Sequence, residues 1–454
     1  MADDSRPDEG QNPEDEFRDM LRDILSGKSS IDPGQLAGAA GLPNDPASVA
    51  ALMNQLQGAL RAGGGDGGIN WDIALQQGQE RAATGAHSTT PAQRAELEQA
   101  FHIAALWLDD VISVAELTVE PRLMTRKEWV TATMPLWSQL AEPVATSISD
   151  SLTSVLSEQA PEELKGMLAG ASQMMRSLGG TLFAMQLGQV VGQLSSEVVS
   201  GGDIGIPLFG DQQAALLPQN VAEFGEGLDV PMDQVQIYLA VRELAHARLF
   251  RHSRWLRLHM ITSITEFAHG ISIDTSRLES LAEGFDPSNP EELRDAMVNG
   301  SLIPPKTDAQ LAALGRLETM LALVEGWVDV VTVEATSRLP RADAINETVK
   351  RRRASGGPAE SAFATLVGLE LRPRRLREAA AMWQAVTDAV GNEARDGLWA
   401  HPDILPTSAD LDDPQALVAR LTSTARGEAP VLDEVDQALE DLLRDDNPDR
   451  PHEA

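Results

Sequence analysis

The residues of this sequence most suited to chemistry lie in VRELAHARLFRH, residues 241–252. It contains Glu243 and His246, which stand three positions apart and would share one face of a helix. An imidazole on such a face can hold a metal ion, and a carboxylate beside it can take a proton from a metal-bound water. Four of the eight histidines lie between residues 246 and 269. Their spacing must therefore decide which of them could act together.

The pattern Glu243-x-x-His246 matches part of the motif H-E-x-x-H, which places two imidazoles on one zinc ion. Arg242 stands where the first histidine belongs, and a guanidinium has no lone pair with which to ligate a cation. His252 follows His246 at the spacing of a third ligand in the extended motif. A continuous helix would turn His252 about 240° away from His246. The spacing therefore favours a position for His252 at a helix end, where the helix dipole suits a cation, over a role as an additional ligand.

A second carboxylate lies inside the apolar run LETMLALVEGWVDVVTV. If this helix is buried, Glu325 needs a metal, a cation or hydrogen-bond donors, because an unpaired buried charge is costly. Gly326 beside it would permit close approach of another chain segment, and Asp329 lies one turn along on the same face. Two alternatives remain open: His246 and Glu325 hold a metal, with Asp329 or His252 as a further ligand, or Arg242 or another arginine pairs with Glu325.

The hydrophobic pattern predicts a mainly α protein. Aromatic residues make up only 4% of the chain, and apolar residues recur at helical spacing through its centre. One helix should begin after Pro231 and contain the stretch 241–252, and Ser253 should cap the next helix. The segment SGGDIGIPLFG differs, because Ile204, Ile206 and Leu208 alternate between glycines and a proline. This alternation predicts a short strand.

Charge and composition divide the chain into three regions. We expect an acidic, largely disordered N-terminal region with short helices over residues 1–90, a helical domain over 91–425, and an acidic tail over 426–454. Residues 1–27 hold nine acidic and three basic side chains, and residues 428–454 hold ten and two. Runs of like charge are typical of solvated, disordered ends. Two basic stretches, VKRRRAS and LRPRRLRE, are predicted to be exposed helix faces.

The bulk properties exclude several classes of protein. A net charge of −33 argues against nucleic-acid binding. The absence of cysteine restricts any transition-metal site to histidine and carboxylate ligands. No stretch is long and apolar enough to predict a membrane span, and the N-terminus lacks the pattern of a secretory signal. We therefore expect a cytoplasmic protein of unknown oligomeric state.

The succession of ALLPQNVAEFGEGLDVPMDQVQIYLAVRELAHARLF, WLRLH, LVEGWVDVV and GLELRPRRLREAAAMW resembles the type 2 zincin-like metallopeptidase family of bacteria. The resemblance covers roughly residues 95–420 and implies a mostly helical zincin-like domain with zinc as cofactor. It also implies that Glu243 matches the water-activating glutamate, His246 the second histidine ligand, and Glu325 a later carboxylate ligand. Arg242 departs from this ligand set.

Two functions follow from these residues. The first is a zincin-like protein with an altered site, able to act as a zinc-dependent peptide or amide hydrolase in which Glu243 assists the attacking water. The second is a non-catalytic helical interaction or scaffold protein, with a peptide or protein partner, in which Arg242 forms a salt bridge to Glu325 in the former metal cleft.

Overall fold

The computed structural model describes residues 69–158, 165–209, 213–269, 306–354, 364 and 375–426. Within these ranges the chain is almost wholly helical, and the mainly α prediction is confirmed. The helices are α1 (Trp71–Ala83), α2 (Pro91–Asp109), α3 (Arg126–Glu158), α4 (Lys165–Leu194), α5 (Pro218–Gly225), α6 (Met232–His252), α7 (Arg254–His269), α8 (Asp308–Ala335), α9 (Ala342–Ala354), α10 (Leu376–Gly397), α11 (Ser408–Asp412) and α12 (Pro414–Ala425), with a short 3-10 helix at Pro402–Ile404.

Local sequence signals explain where the two central helices begin and end. Helix α6 starts directly after Pro231, as predicted, and ends at His252. Ser253 is the C-cap residue of α6 and directly precedes α7, and its hydroxyl donates to the carbonyl of Trp399. Helix α8 starts at a capping box, in which the Thr307 side chain accepts from the Gln310 backbone N–H and the Gln310 side chain accepts from that of Thr307. Such reciprocal bonds satisfy donors that the first turn of a helix leaves free.

Helices α6 and α8 form the centre of the molecule. Helix α6 packs against α2, α8 and α9, and α8 packs in addition against α7 and α10. On the far side of α8, Trp327, Trp383 and Trp399 form a fully buried aromatic group. An added Cβ on Gly326 would lie 2.7 Å from the Cβ of Ala379 on α10. The expectation that Gly326 permits a close approach is thus confirmed.

The described strands are short and do not lie where the alternating pattern predicted. Strand β1 (Arg122–Leu123) pairs in parallel with β2 (Ala215–Leu216). The predicted strand around residues 204–208 is wrong, because this segment consists of turns and irregular backbone. Gly205 adopts a positive φ of 80° there, a conformation that breaks an extended strand. Ile206 and Leu208 are nevertheless buried. The alternating apolar residues therefore belong to a loop that is buried, and not to a strand.

The described part of the chain includes a helix before residue 91. Helix α1 packs against α3 and α4 and places Ala74 and Ala82 in the hydrophobic core. The rest of the N-terminal region and nearly all of the tail over 426–454 lie outside the described residues. Among the described helices, none is both long enough and apolar enough to cross a bilayer.

Candidate functional site

Helices α6 and α8 bring together the three groups that the sequence singled out as a possible metal cleft. Arg242, His246 and Glu325 are all buried, with Glu325 fully inaccessible. The Arg242 guanidinium donates to Oε2 of Glu325. Nε2 of His246 lies 3.0 Å from Oε1 of the same carboxylate. The structure therefore contains the Arg242–Glu325 ion pair that the sequence analysis left as one of its two alternatives.

A second arginine completes the surroundings of Glu325. Nη1 of Arg353, on α9, lies 2.8 Å from Oε1 of Glu325. Arg352 and Arg353 also pair with Asp203, at 3.3 Å and 3.9 Å. The interpretation of VKRRRAS as an exposed helix face is therefore wrong for these two arginines. Sequence reasoning missed them and Asp203, although a run of arginines near a helix end is a detectable signal.

The cations around Glu325 keep it ionised in the interior. Burial alone would raise the pKa of Glu325, but Arg353, Arg242 and the His246 hydrogen bond together hold that pKa well below its usual range. In the same way, burial opposes ionisation of Asp203, yet Arg352 and Arg353 lower its pKa. The two carboxylates and three guanidiniums form one buried ionic cluster that joins α6, α8, α9 and the loop over 199–209.

The hydrogen bonds of His246 fix the orientation of its ring. Nδ1 lies 3.0 Å from the carbonyl oxygen of Arg242, one helical turn earlier, and the ring stacks on Phe250. Burial lowers the pKa of His246 despite the Glu325 carboxylate, and Arg242 and Arg353 act in the same direction as burial. Both neighbours are acceptors, and a neutral imidazole has one N–H, so it can donate to only one of them. We assign the N–H to Nε2 because a hydrogen bond to an anion is the stronger one, which leaves the Nδ1 contact without a hydrogen. The ring then donates to Glu325.

Glu243 faces a different part of the interior from Glu325. Its Oε2 accepts from the backbone N–H of Gly202 at 2.7 Å, and its Oε1 accepts from that of Ala215 at 2.8 Å. Burial raises the pKa of Glu243 to about 7, although these bonds and one from Ser200 lower it. Both carboxylate oxygens thus hold the loop over 199–209 and strand β2 onto α6.

Glycines let this loop pass directly over the site. Three of them lie against functional candidates. Gly201 lies close to Glu243, Gly202 to His246, and Gly205 to Glu325. An added Cβ on Gly202 would lie 2.7 Å from Cβ of His246, closer than packed carbon atoms can approach. The glycines that seemed to mark the ends of a strand therefore allow the loop backbone to contact the site closely.

The two additional ligand candidates lie elsewhere. His252 is the last residue of α6 and is exposed, and no described contact joins it to the ionic cluster. Asp329 is buried, and its carboxylate lies 2.9 Å from Nζ of Lys350. It follows Glu325 by one turn on α8 but pairs with its own cation.

The sequence of this site and its surroundings matches a known family model. Residues 69–418 match the model described as zincin-like metallopeptidase. The chain belongs to the zincin-like metallopeptidase family. A search of the curated proteins gives no match.

A solved structure supports the same fold for this zincin-like protein. It comes from Chloroflexus aurantiacus and was described as a proposed hydrolase with a novel fold. The two chains are 19% identical, with a TM-score of 0.52, and the alignment covers 78% of this chain and 98% of the other. At this identity the likeness concerns the fold.

Zinc, which the family name implies, does not fit the residues present. Catalytic zinc sites use three protein ligands and a water, and in the described ranges no group of three histidine or carboxylate side chains could hold a metal. Arg242 contributes a positive charge where a ligand would stand, and Arg353 contributes another. The carboxylate that would bind the metal is therefore already neutralised by protein cations.

A small pocket opens beside His246. It measures about 30 Å³, room for roughly two water molecules. Its walls include His246, Glu243 and Arg257, together with apolar side chains from the loop over 199–209 and from α6.

Proposed function

We propose that this protein is a non-catalytic member of the zincin-like family, which uses the remnant of the cleft to bind a peptide or protein partner. The observation that carries the proposal is the buried Arg242–Glu325 ion pair, reinforced by Arg353. A guanidinium is permanently protonated, so it supplies the charge of a metal ion without the capacity to activate water. Arg242 therefore replaces a ligand and also takes over the neutralisation of Glu325.

The position of Glu243 supports the same function. A water-activating base needs a carboxylate oxygen within hydrogen-bond reach of the reacting water. Both oxygens of Glu243 accept from backbone N–H groups of the loop and β2. Its interactions account for the conformation of the loop over the site, which is a structural role.

Family membership favours a second function, zinc-dependent hydrolysis of peptide or amide bonds. The charge of the cluster opposes it, because a divalent cation bound at His246 and Glu325 would lie beside two guanidiniums. Such like-charge repulsion in a buried site is strong. The two functions therefore differ in a property that can be measured directly, the zinc content of the native protein.

The test is metal analysis of protein purified without a chelator or a nickel column. We expect far less than one zinc per chain and a melting temperature that a chelator does not change. Near-stoichiometric zinc, with a loss of stability in chelator, would contradict the non-catalytic function.

Two substitutions sharpen this test. Arg242→His restores the motif and should raise zinc affinity, and adding Arg353→Gln should raise it further because the second cation next to Glu325 is removed. Arg254→His is the matched control, since Arg254 is exposed on the neighbouring helix α7 and a histidine there should add no affinity. If the double variant bound no more zinc than the control, the inherited-cleft interpretation would be wrong.

A further inference from the structure

The pocket beside His246 contains a cation that pairs with no carboxylate among the described residues. Arg257, on α7, lines the pocket and is half-buried. Its Nε is enclosed by protein and makes no hydrogen bond. Within the described part of the chain, no carboxylate lies within ion-pair distance of its guanidinium. This contrasts with Arg242 and Arg353, each of which pairs with Glu325.

The remaining polar groups of the pocket do not neutralise Arg257. Glu243 uses both oxygens for backbone N–H groups, and the two ring nitrogens of His246 face the Arg242 carbonyl and Glu325. The Gln213 amide also lines the pocket, and it can donate as well as accept. The pocket therefore offers the guanidinium of Arg257 to an anion, and no described carboxylate pairs with that guanidinium.

The walls define what kind of anion would fit. Ile206, Leu208, Phe209 and Phe250 line the pocket with apolar surface. The space of about 30 Å³ admits an end group and not a whole ligand. A planar carboxylate matches the two parallel donors of a guanidinium, and a short aliphatic stem matches the apolar walls.

We propose that this pocket binds the carboxylate of an aliphatic ligand end, with Arg257 as the counter-ion. The inference rests on the proposed function in taking the cleft as a binding site. Two sources present this chemistry: the free C-terminus of a peptide and the side chain of an acidic residue. Both would insert the carboxylate toward Arg257 and leave the rest of the ligand on the surface of the loop over 199–209.

The experiment is a ligand-observed NMR titration of the full chain with butyrate and with its neutral isostere butyramide. We expect butyrate to bind saturably, in roughly the millimolar range for so few atoms, and butyramide to bind at least about tenfold more weakly, since charge-assisted hydrogen bonds are the stronger ones. Equal binding of the two probes, or no saturable binding of butyrate, overturns the proposal. Tighter binding of inorganic phosphate than of butyrate overturns the carboxylate assignment.

Variants assign the binding to Arg257. Arg257→Gln should weaken butyrate binding at least about tenfold, while Arg254→Gln, the same change on an exposed position of the same helix, should leave it unchanged. If Arg257→Gln fails to fold, Arg257→Lys provides the test. Lysine keeps the positive charge but lacks the paired donors of a guanidinium, so this variant should bind butyrate with intermediate affinity. Binding that is unaffected by either Arg257 variant contradicts the proposal.

Two further probes separate the sources of the carboxylate. N-acetyl-leucine presents a terminal carboxylate, and the α-amide of N-acetylglutamate presents a side-chain carboxylate; the tighter binder identifies the source. The outcome is independent of the zinc measurement. If the protein binds carboxylates but also contains zinc, only the proposed non-catalytic function is contradicted. If it is free of zinc but binds no carboxylate, only the proposal for the pocket is contradicted.

Discussion

The residue type at position 242 determines which cation neutralises Glu325. A histidine at position 242 could coordinate a metal, whereas Arg242 delivers its own charge directly to the carboxylate. Removing one partner of such a buried pair typically costs about 3–5 kcal/mol, because it leaves an uncompensated charge. The arginine is therefore part of the stability of this fold as well as a change in its chemistry.

Glu243 makes a pH-dependent contribution at the same scale. Its pKa rises from the ordinary 4.5 to about 7 in the folded protein, so between these values the folded state binds more protons than the unfolded state. Stability must then decrease as pH rises through this window. The contribution of Glu243 should fall by roughly 3 kcal/mol from its acidic limit to its alkaline limit.

The measurement compares the free energy of unfolding of the wild type and of Glu243→Gln in urea, at about pH 5 and about pH 8. The stability of the wild type relative to the variant should be lower at the higher pH, because other titrating groups cancel in the difference. Glu226→Gln, at an exposed position, should show no such change. A difference that is equal at both pH values would mean that Glu243 keeps an ordinary pKa.

At the scale of elements, the loop over 199–209 determines access to the site. Glu243 accepts from the backbone N–H of Gly202 in this loop, and Arg353 donates to the carbonyl of Asp203. Its glycines allow the backbone to lie against His246 and Glu325. The loop thus depends on α6, α8 and α9 together, and a change at the loop should be transmitted to all three.

Two glycines with nearly equal φ test this dependence. Gly205 and Gly227 have φ of 80° and 79°, so alanine introduces about 1–2 kcal/mol of backbone strain at each. At Gly227 a new Cβ meets nothing within 4 Å, whereas at Gly205 it would lie 2.7 Å from Oε1 of Glu325. Gly205→Ala should therefore be the more destabilising by about 1–3 kcal/mol, as measured by urea unfolding. Equal losses would show that the loop does not press on Glu325.

At the scale of the whole molecule, α8 connects the ionic cluster to the hydrophobic core. Glu325 faces Arg242 and Arg353, while Trp327, two residues further along α8, donates to Asp396 on α10 at 2.8 Å. The core extends from this aromatic group to α1, which lies before residue 91. The domain boundary predicted at residues 90 and 91 can therefore be tested by truncation.

We expect a chain that begins at residue 69 to be more stable than one that begins at residue 91. The second truncation removes α1 and exposes the faces of α3 and α4 that it covers. Its melting temperature, followed by circular dichroism, should be lower by more than about 5 °C. If both truncated chains melt together, the boundary predicted from charge and composition holds.

The sequence predicted the parts of the site that depend on local pattern. It placed Arg242, Glu243 and His246 on one helix after Pro231, and it identified Glu325 as a buried charge in need of a partner. It could not choose between a metal and an arginine for that partner. The contributions of Arg353 and Asp203 come from segments more than 20 residues away on either side, and no spacing rule connects them to Glu325.

What the sequence alone determined is the helical fold, since periodicity and capping residues act within one or two turns. It also determined that Arg242 cannot be a metal ligand, since this follows from the guanidinium itself. Only the tertiary structure decided that Glu325 lies between two arginines, and that Arg257 lines the adjoining pocket with no carboxylate partner among the described residues. The reason is that an ion pair depends on separations of a few ångströms between helices, and these are set by the packing of the whole core.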